Sequence, residues 1–146
     1  MNPGAGEDDE ILVLWEIVQT AHLANRAFGE LFASVGLAPT QFGVLACLAD
    51  GDDFTKTELA HALMVRPQSI DPIVEALIRD GLVRRDGPPR RGRAAGISIT
   101  PAGLHRHATA RPLVSALNDP TTFGLDAQAV RRLAEQLRTI RDKLQR

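Results

Sequence analysis

Apolar side chains at Ile11, Leu14, Trp15, Val18, Phe28, Leu31, Phe32 and Val35, with His22 in the same stripe, recur at steps of three and four. That period predicts a long amphipathic helix over residues 11–35, stopped by Gly36. Leu37-Ala38-Pro39-Thr40 reads as the start of a second helix, in which Phe42, Leu45, Cys47, Leu48 and Ala49 form a mostly buried face ending near Asp50-Gly51. Thr55, with Glu58 three residues on, is the signature of a capping box and opens a short third helix over residues 55–63. Met64-Val65 has room only for a tight turn. Ile70, Ile73, Val74, Leu77 and Ile78 then repeat with helical period, and Gly81 closes that fourth helix.

The period changes after Gly81. Leu82-Val83-Arg84-Arg85 and Gly96-Ile97-Ser98-Ile99-Thr100 are short β-type runs, and the Gly- and Pro-containing stretch DGPPRRGRAA between them suits a hairpin tip. Thr100-Pro101 is a cap followed by proline at the first helical position, opening a fifth helix that Pro112 should bend or interrupt before Asp119-Pro120. Asp126 caps a sixth helix, whose Val130, Leu133, Leu137, Ile140 and Leu144 alternate steps of three and four, the stripe of a two-helix seam. Such a stripe packs either on its own domain or on a second copy. A long first helix and a striped last one flanking a compact middle favour a dimer through Ile11 and Leu14 together with the five apolar positions of the last helix.

Helix, tight turn, helix and hairpin over residues 55–100 is the order of a winged helix-turn-helix. The predicted fold is mainly α with a small β-hairpin and about six helices, dimerising through its amino- and carboxy-terminal helices. Residues 1–9 read as a flexible acidic lead and 10–146 as one domain. Within it, 10–36 and 101–146 supply dimerisation helices and 37–100 a DNA-binding lobe with its wing at 82–100.

A formal net charge of -1 on 146 residues says little until it is divided along the chain. Residues 1–53 carry one arginine against nine acids, whereas 54–111 carry ten basic residues against five acids. Positive charge therefore collects where the helix-turn-helix and hairpin lie, the pattern of a nucleic-acid footprint. The amino end MNPGAGEDDE lacks the basic start and apolar middle of a secretory signal, and no apolar run is long enough for a membrane span. With a lone Cys47, these features point to a cytoplasmic protein.

LAPTQFGVLACLAD, TKTELAHALMVRPQSIDPIVEALIRDGLVRR and ISITPAG resemble, in order and spacing, the second helix, helix-turn-helix and wing end of the MarR family. The resemblance runs over nearly the whole chain. It implies a homodimeric transcription regulator, commonly a repressor, that binds palindromic operators in double-stranded DNA and is often released by a small molecule or an oxidant. Three departures bear on that expectation. Met64 stands where the family usually has glycine, and Arg66 where it has Ser or Thr. In the wing, Arg93 matches but the aspartate two positions before it is Arg91. Asp71-Pro72 falls inside the recognition helix, so either the helix kinks between Gln68 and Pro72 or a shorter helix starts with Asp71 as cap. Arg66, Gln68 and Ser69, just ahead of that point, are expected to read bases, with Lys56, Arg84, Arg90, Arg91 and Arg93 on phosphates or the minor groove.

Other chemistry finds less support. His105 and His107 are two apart on a helix and point to different faces, and no cysteine or carboxylate completes a ligand set with His22 or His61, so neither metal nor cofactor is expected. No nucleophile with a paired base, phosphate-cradling loop or carboxylate pair suggests an enzyme. By the resemblance, Trp15, His22, Arg26 and Phe42 are candidates to line a site for a small aromatic or amphipathic ligand; ordinary core roles for Trp15 and Phe42 are the alternative. The acids at Asp71 and Glu75 keep a second functional reading open, a winged-helix interaction or ligand-binding module with weak or no sequence-specific DNA binding.

Overall fold

The first helix, α1 (Val13–Ala33), buries only Phe32; Ile17, Phe28 and Leu31 are half-buried, and Leu14, Trp15, Val18 and Leu23 are exposed. A computed structural model describes residues 11–87, 92 and 94–146, in two compact units, Met1–His107 and Ala108–Arg146. The acidic lead and Arg90, Arg91 and Arg93 lie outside the described residues.

Within the first unit, α2 (Pro39–Leu48) starts on a proline, with the Ala38 N–H donating to Gln41 Oε1 at 2.9 Å. In α3 (Lys56–Ala62), Thr55 Oγ1 accepts from the Glu58 N–H at 3.2 Å, the cap read from sequence. The hydroxyl also lies 3.1 Å from Glu58 Oε1, to which it donates. A fourth helix, α4 (Pro67–Arg79), has Arg66 as its extended N-cap and Pro67 at its first position. Its buried side chains Ile70, Val74 and Leu77 join Val44, Leu45, Leu48, Leu59 and Ile97 in the fully buried core. The strands β1 (Val83–Arg85) and β2 (Ile97–Ile99) pair antiparallel with Val83 opposite Ile99. Phe54 extends that ladder by one bridge, exchanging backbone hydrogen bonds of 3.1 and 2.7 Å with Ile97.

Three helix ends share one motif. In each, two successive N–H groups turn back onto the last carbonyls: Leu37 to Phe32 and Gly36 to Ala33; Val65 to Ala60 and Met64 to His61; Leu82 to Leu77 and Gly81 to Ile78. The residue at the pivot must be left-handed, and its φ is 68° at Gly36, 72° at Gly81 and 56° at Met64. Met64 therefore holds a conformation that costs a side-chain-bearing residue roughly 1–2 kcal/mol.

The fifth helix, α5 (Pro101–Leu117), begins under tight packing. Thr100 Oγ1 accepts from the Gly103 N–H at 3.1 Å and donates to the Gly81 carbonyl at 2.6 Å. A Cβ on Gly103 would stand 2.0 Å from the Leu82 carbonyl oxygen, so glycine is required by contact rather than by φ. In the second unit, a short 3-10 turn (Pro120–Phe123) capped by Asp119 leads to α6 (Ala127–Leu144), where Asp126 accepts from the Ala129 N–H at 2.8 Å. None of the α6 side chains is buried; Leu133 and Leu137 are 44% and 40% exposed.

In two places the structure excludes one of the alternatives the sequence left open. α4 runs unbroken from Pro67 through Pro72, so Asp71 is not its cap, and α5 likewise passes through Pro112 without interruption. A proline removes one intrahelical bond, to the carbonyl four residues back, but the flanking turns retain theirs. The 3-10 turn and the Phe54 bridge have no periodic signature and went unread.

Met64→Gly should raise stability by about 1 kcal/mol, read as a higher denaturation midpoint in urea with unchanged slope. An unchanged or lower midpoint would show that Met64 is not strained. Gly103→Ala should lower stability by about 1–3 kcal/mol as the chain parts around the added methyl.

Candidate nucleic-acid interface

With Ile70, Val74 and Leu77 committed to the core, the opposite side of α4 presents Gln68, Asp71, Pro72, Glu75 and Arg79, all exposed. Gln68, Asp71 and Glu75 are spaced by three and four and so share one face. Arg66, Gln68 and Ser69 gather at the amino end, where the helix dipole favours anions. Gln68 and Ser69 sit in the first helical turn rather than in a loop, and the Ser69 N–H closes that turn on the Arg66 carbonyl at 2.9 Å.

Lys56, the first residue of α3, reaches across to α4. Its Nζ lies 2.5 Å from Asp71 Oδ1 and 3.2 Å from Glu75 Oε1. Arg85 of β1 donates through Nη2 to the same Glu75 oxygen. One ion-pair network thus ties α3, α4 and β1 together on the exposed side of the helix-turn-helix. The hydrogen bond to Asp71, reinforced by Glu75, raises the Lys56 ammonium above its ordinary value. The hydrogen bond from Lys56, with the charge of Arg85 behind it, holds the Glu75 carboxyl below its own. Alternation along the strand sends Arg84 the other way, where its Nε pairs with Asp86 Oδ1 at 3.3 Å and Ser98 Oγ donates to Asp86 Oδ2.

The cations expected to serve phosphates therefore differ in state. Lys56 and Arg84 are already paired with carboxylates, Arg66 is exposed at the α4 cap, and Arg90, Arg91 and Arg93 lie outside the described residues. Sequence reasoning missed Arg85 altogether. It noticed Asp71 and Glu75 as anions but had no means of pairing them with a lysine 15 and 19 residues away.

Among the residues considered for a small ligand, Trp15, His22 and Arg26 lie on the exposed surface of α1, with Arg26 Nε 3.3 Å from Glu30 Oε1. Phe42 instead belongs to a column of rings, 4.7 Å from Phe32 and 5.2 Å from His107 between centroids, with Phe28 a further 5.8 Å beyond Phe32. No hydrogen bond, ion pair or ring contact among the described residues joins Trp15, His22 or Arg26 to Phe42. On α2, Cys47 is half-buried, and that burial pushes its thiol up, away from the reactive thiolate. Among the described residues no three His, Cys, Asp or Glu side chains could jointly hold a metal ion, and no helix is long and apolar enough to cross a membrane.

A sequence model of the MarR family matches residues 35–94, the span from the end of α1 through the helix-turn-helix into the wing. Two solved structures similar to the chain are both 26% identical to it. The transcriptional regulator MosR of M. tuberculosis superposes with a TM-score of 0.73, covering 92% of this chain and 98% of that one. A probable transcriptional regulator from Pseudomonas aeruginosa gives 0.72, covering 85% and 96%. MarR of E. coli in its apo form, 23% identical, shares the fold at 0.72, covering 90% and 98%. No curated protein sequence matches the chain.

Because Glu75 is held below its ordinary value, the ion pair adds stability at neutral pH and loses it as pH falls through that lowered value. Glu75→Gln should therefore be slightly less stable than the parent at pH 7, with the difference smaller at about pH 3, under the ordinary glutamate range. Urea titrations at both values check this; a difference that persists undiminished in acid would assign it to packing instead.

Proposed function

We propose that this chain, a MarR-type winged-helix protein, is a homodimeric transcription regulator that represses by binding a palindromic operator and is released by a small ligand. The observation that carries the reading is the α4 amino end, where Arg66, Gln68 and Ser69 stand exposed on a helix whose other face is locked into the core. A helix of that kind fits the major groove, where glutamine pairs with adenine and arginine with guanine, each good bidentate pair contributing about 1 to 3 kcal/mol of discrimination. Arg84, Arg90, Arg91 and Arg93 supply backbone contacts from the hairpin. This is binding work rather than catalysis, done in the cytoplasm on double-stranded DNA.

Surface chemistry supports the dimer. Ile11, just before α1, and Leu14 on it are exposed in the first unit; on α6 of the second, Leu133, Leu137 and Leu144 are exposed and Val130 and Ile140 half-buried, and a second copy would remove such apolar side chains from water. Two-fold pairing would set two α4 helices on half-sites about 34 Å apart, hence a palindrome. The ring column around Phe42 and the exposed Trp15 support an aromatic or amphipathic ligand. A second reading, an interaction module with weak DNA binding, draws on the carboxylates of Asp71 and Glu75 on the α4 face and on Lys56 being paired with them.

Fluorescence anisotropy on the duplex upstream of the chain's own gene, against random duplex at several salt concentrations, separates the two readings. A regulator binds its site more tightly and loses affinity steeply with salt; equal affinities throughout favour the module. Gln68→Ala should change which bases are preferred while leaving random-duplex binding intact. Leu137→Asp should yield a monomer or an unfolded chain by light scattering, and an intact dimer would remove α6 from the interface.

A further inference from the structure

Asp71 and Glu75 each spend one oxygen inside the protein. Oδ1 of Asp71 and Oε1 of Glu75 accept from Lys56, and Oε1 also from Arg85, whereas Asp71 Oδ2 and Glu75 Oε2 have no partner among the described residues. The two side chains remain 62% and 48% exposed, on the face they share with Gln68. Ion pairs this exposed add little to stability. A structural brace is thus a weak reason for two acids on a surface whose task, on the reading above, is to meet a polyanion.

We infer that Asp71 and Glu75 are specificity-determining residues, which keep Lys56 and Arg85 off the phosphates of DNA in general and present carboxylate oxygens to cytosine amino groups. The inference rests on the DNA-binding reading. Affinity for any duplex grows with each phosphate that a lysine or arginine neutralises. Lys56 at the start of α3 and Arg85 on β1 flank α4 and would add two such contacts if free; the carboxylates withhold both. A carboxylate has only acceptors, so guanine O6 and N7 and thymine O4 oppose it, adenine offers its N6 donor only beside an opposing N7 acceptor, and cytosine N4 donates to it without one. Repulsion from phosphates and wrong bases, relieved at cytosine, turns a general electrostatic attraction into a selective one.

Asp71→Asn/Glu75→Gln keeps the shape of both side chains and removes their charge. In the full chain this double variant should bind random duplex about tenfold more tightly near 0.1 M salt, with a log–log salt slope steeper by roughly 1 to 2. Selection from a randomised duplex pool should give sites with cytosine under α4 for the parent, and a shift toward adenine, the partner of Asn and Gln, for the variant. Adding Lys56→Gln to the double variant should reverse about half of the gain on random duplex on a logarithmic scale, Arg85 keeping the rest. Thermal melts verify folding, and Glu75→Gln alone takes the same measurements should the double variant unfold. If the parent selects a site and the variant binds random duplex with the same affinity and slope, this inference falls and the DNA-binding reading stands. If the parent shows no salt-dependent binding to any duplex, both fall.

Discussion

Everything that α4 can offer to a partner depends on how completely its inner face is committed. Ile70, Val74 and Leu77 are buried among Val44, Leu45, Leu48, Leu59 and Ile97, and α4 packs at once on α2, α3 and β1. Close packing on three sides fixes the rotation of the helix about its axis, since turning it by one residue would swing Asp71 or Glu75 toward the core. With that rotation set, Gln68, Asp71 and Glu75 must point outward together. The exposed face is polar because the core left it nothing else to do, and its particular residues are free to specify a partner.

The same anchoring explains why the ion-pair network can be electrostatic in purpose rather than structural. Lys56 begins α3 immediately after the Thr55 cap, and Arg85 ends β1 opposite Ile97, so both cations are placed by backbone that is already held by hydrogen bonds and core contacts. The carboxylates need not hold these elements in place. Their effect is on charge: a region that is basic in sequence presents, at the centre of its α4 face, two acids balanced by two cations, with the exposed Arg66 at the α4 cap.

Most of this architecture was legible in the chain, for identifiable reasons. Helices α1, α4 and α6 announce themselves through apolar period, α3 through Thr55 and Glu58, and the start of α5 through Thr100-Pro101, because each signal is local. The backbone bridge of Phe54 and the pairing of Lys56 with Asp71 and Glu75 are not local and leave no periodic trace. Pro72 misled in a specific way. As a helix breaker it suggested Asp71 for a cap, yet Arg66-Pro67 had already started the helix, and burial of Ile70, Val74 and Leu77 outweighs one missing hydrogen bond.

Pro72 nevertheless leaves a mark on the site. Without its N–H, the carbonyl of Gln68 loses its usual intrahelical donor, in the very turn that carries Gln68 and Ser69. That turn is then tied by fewer bonds than the turns beyond it, which keep their i to i−4 ladder around Val74 and Leu77. Gln68 and Ser69 therefore sit on the turn of α4 that has fewer backbone bonds, whereas the carboxylates of Asp71 and Glu75 are tied to Lys56 and Arg85. A face built this way has an amino end tied by fewer backbone bonds, next to an acidic patch tied by three ion pairs to α3 and β1, and on the DNA-binding reading proposed above these two halves would meet a groove differently.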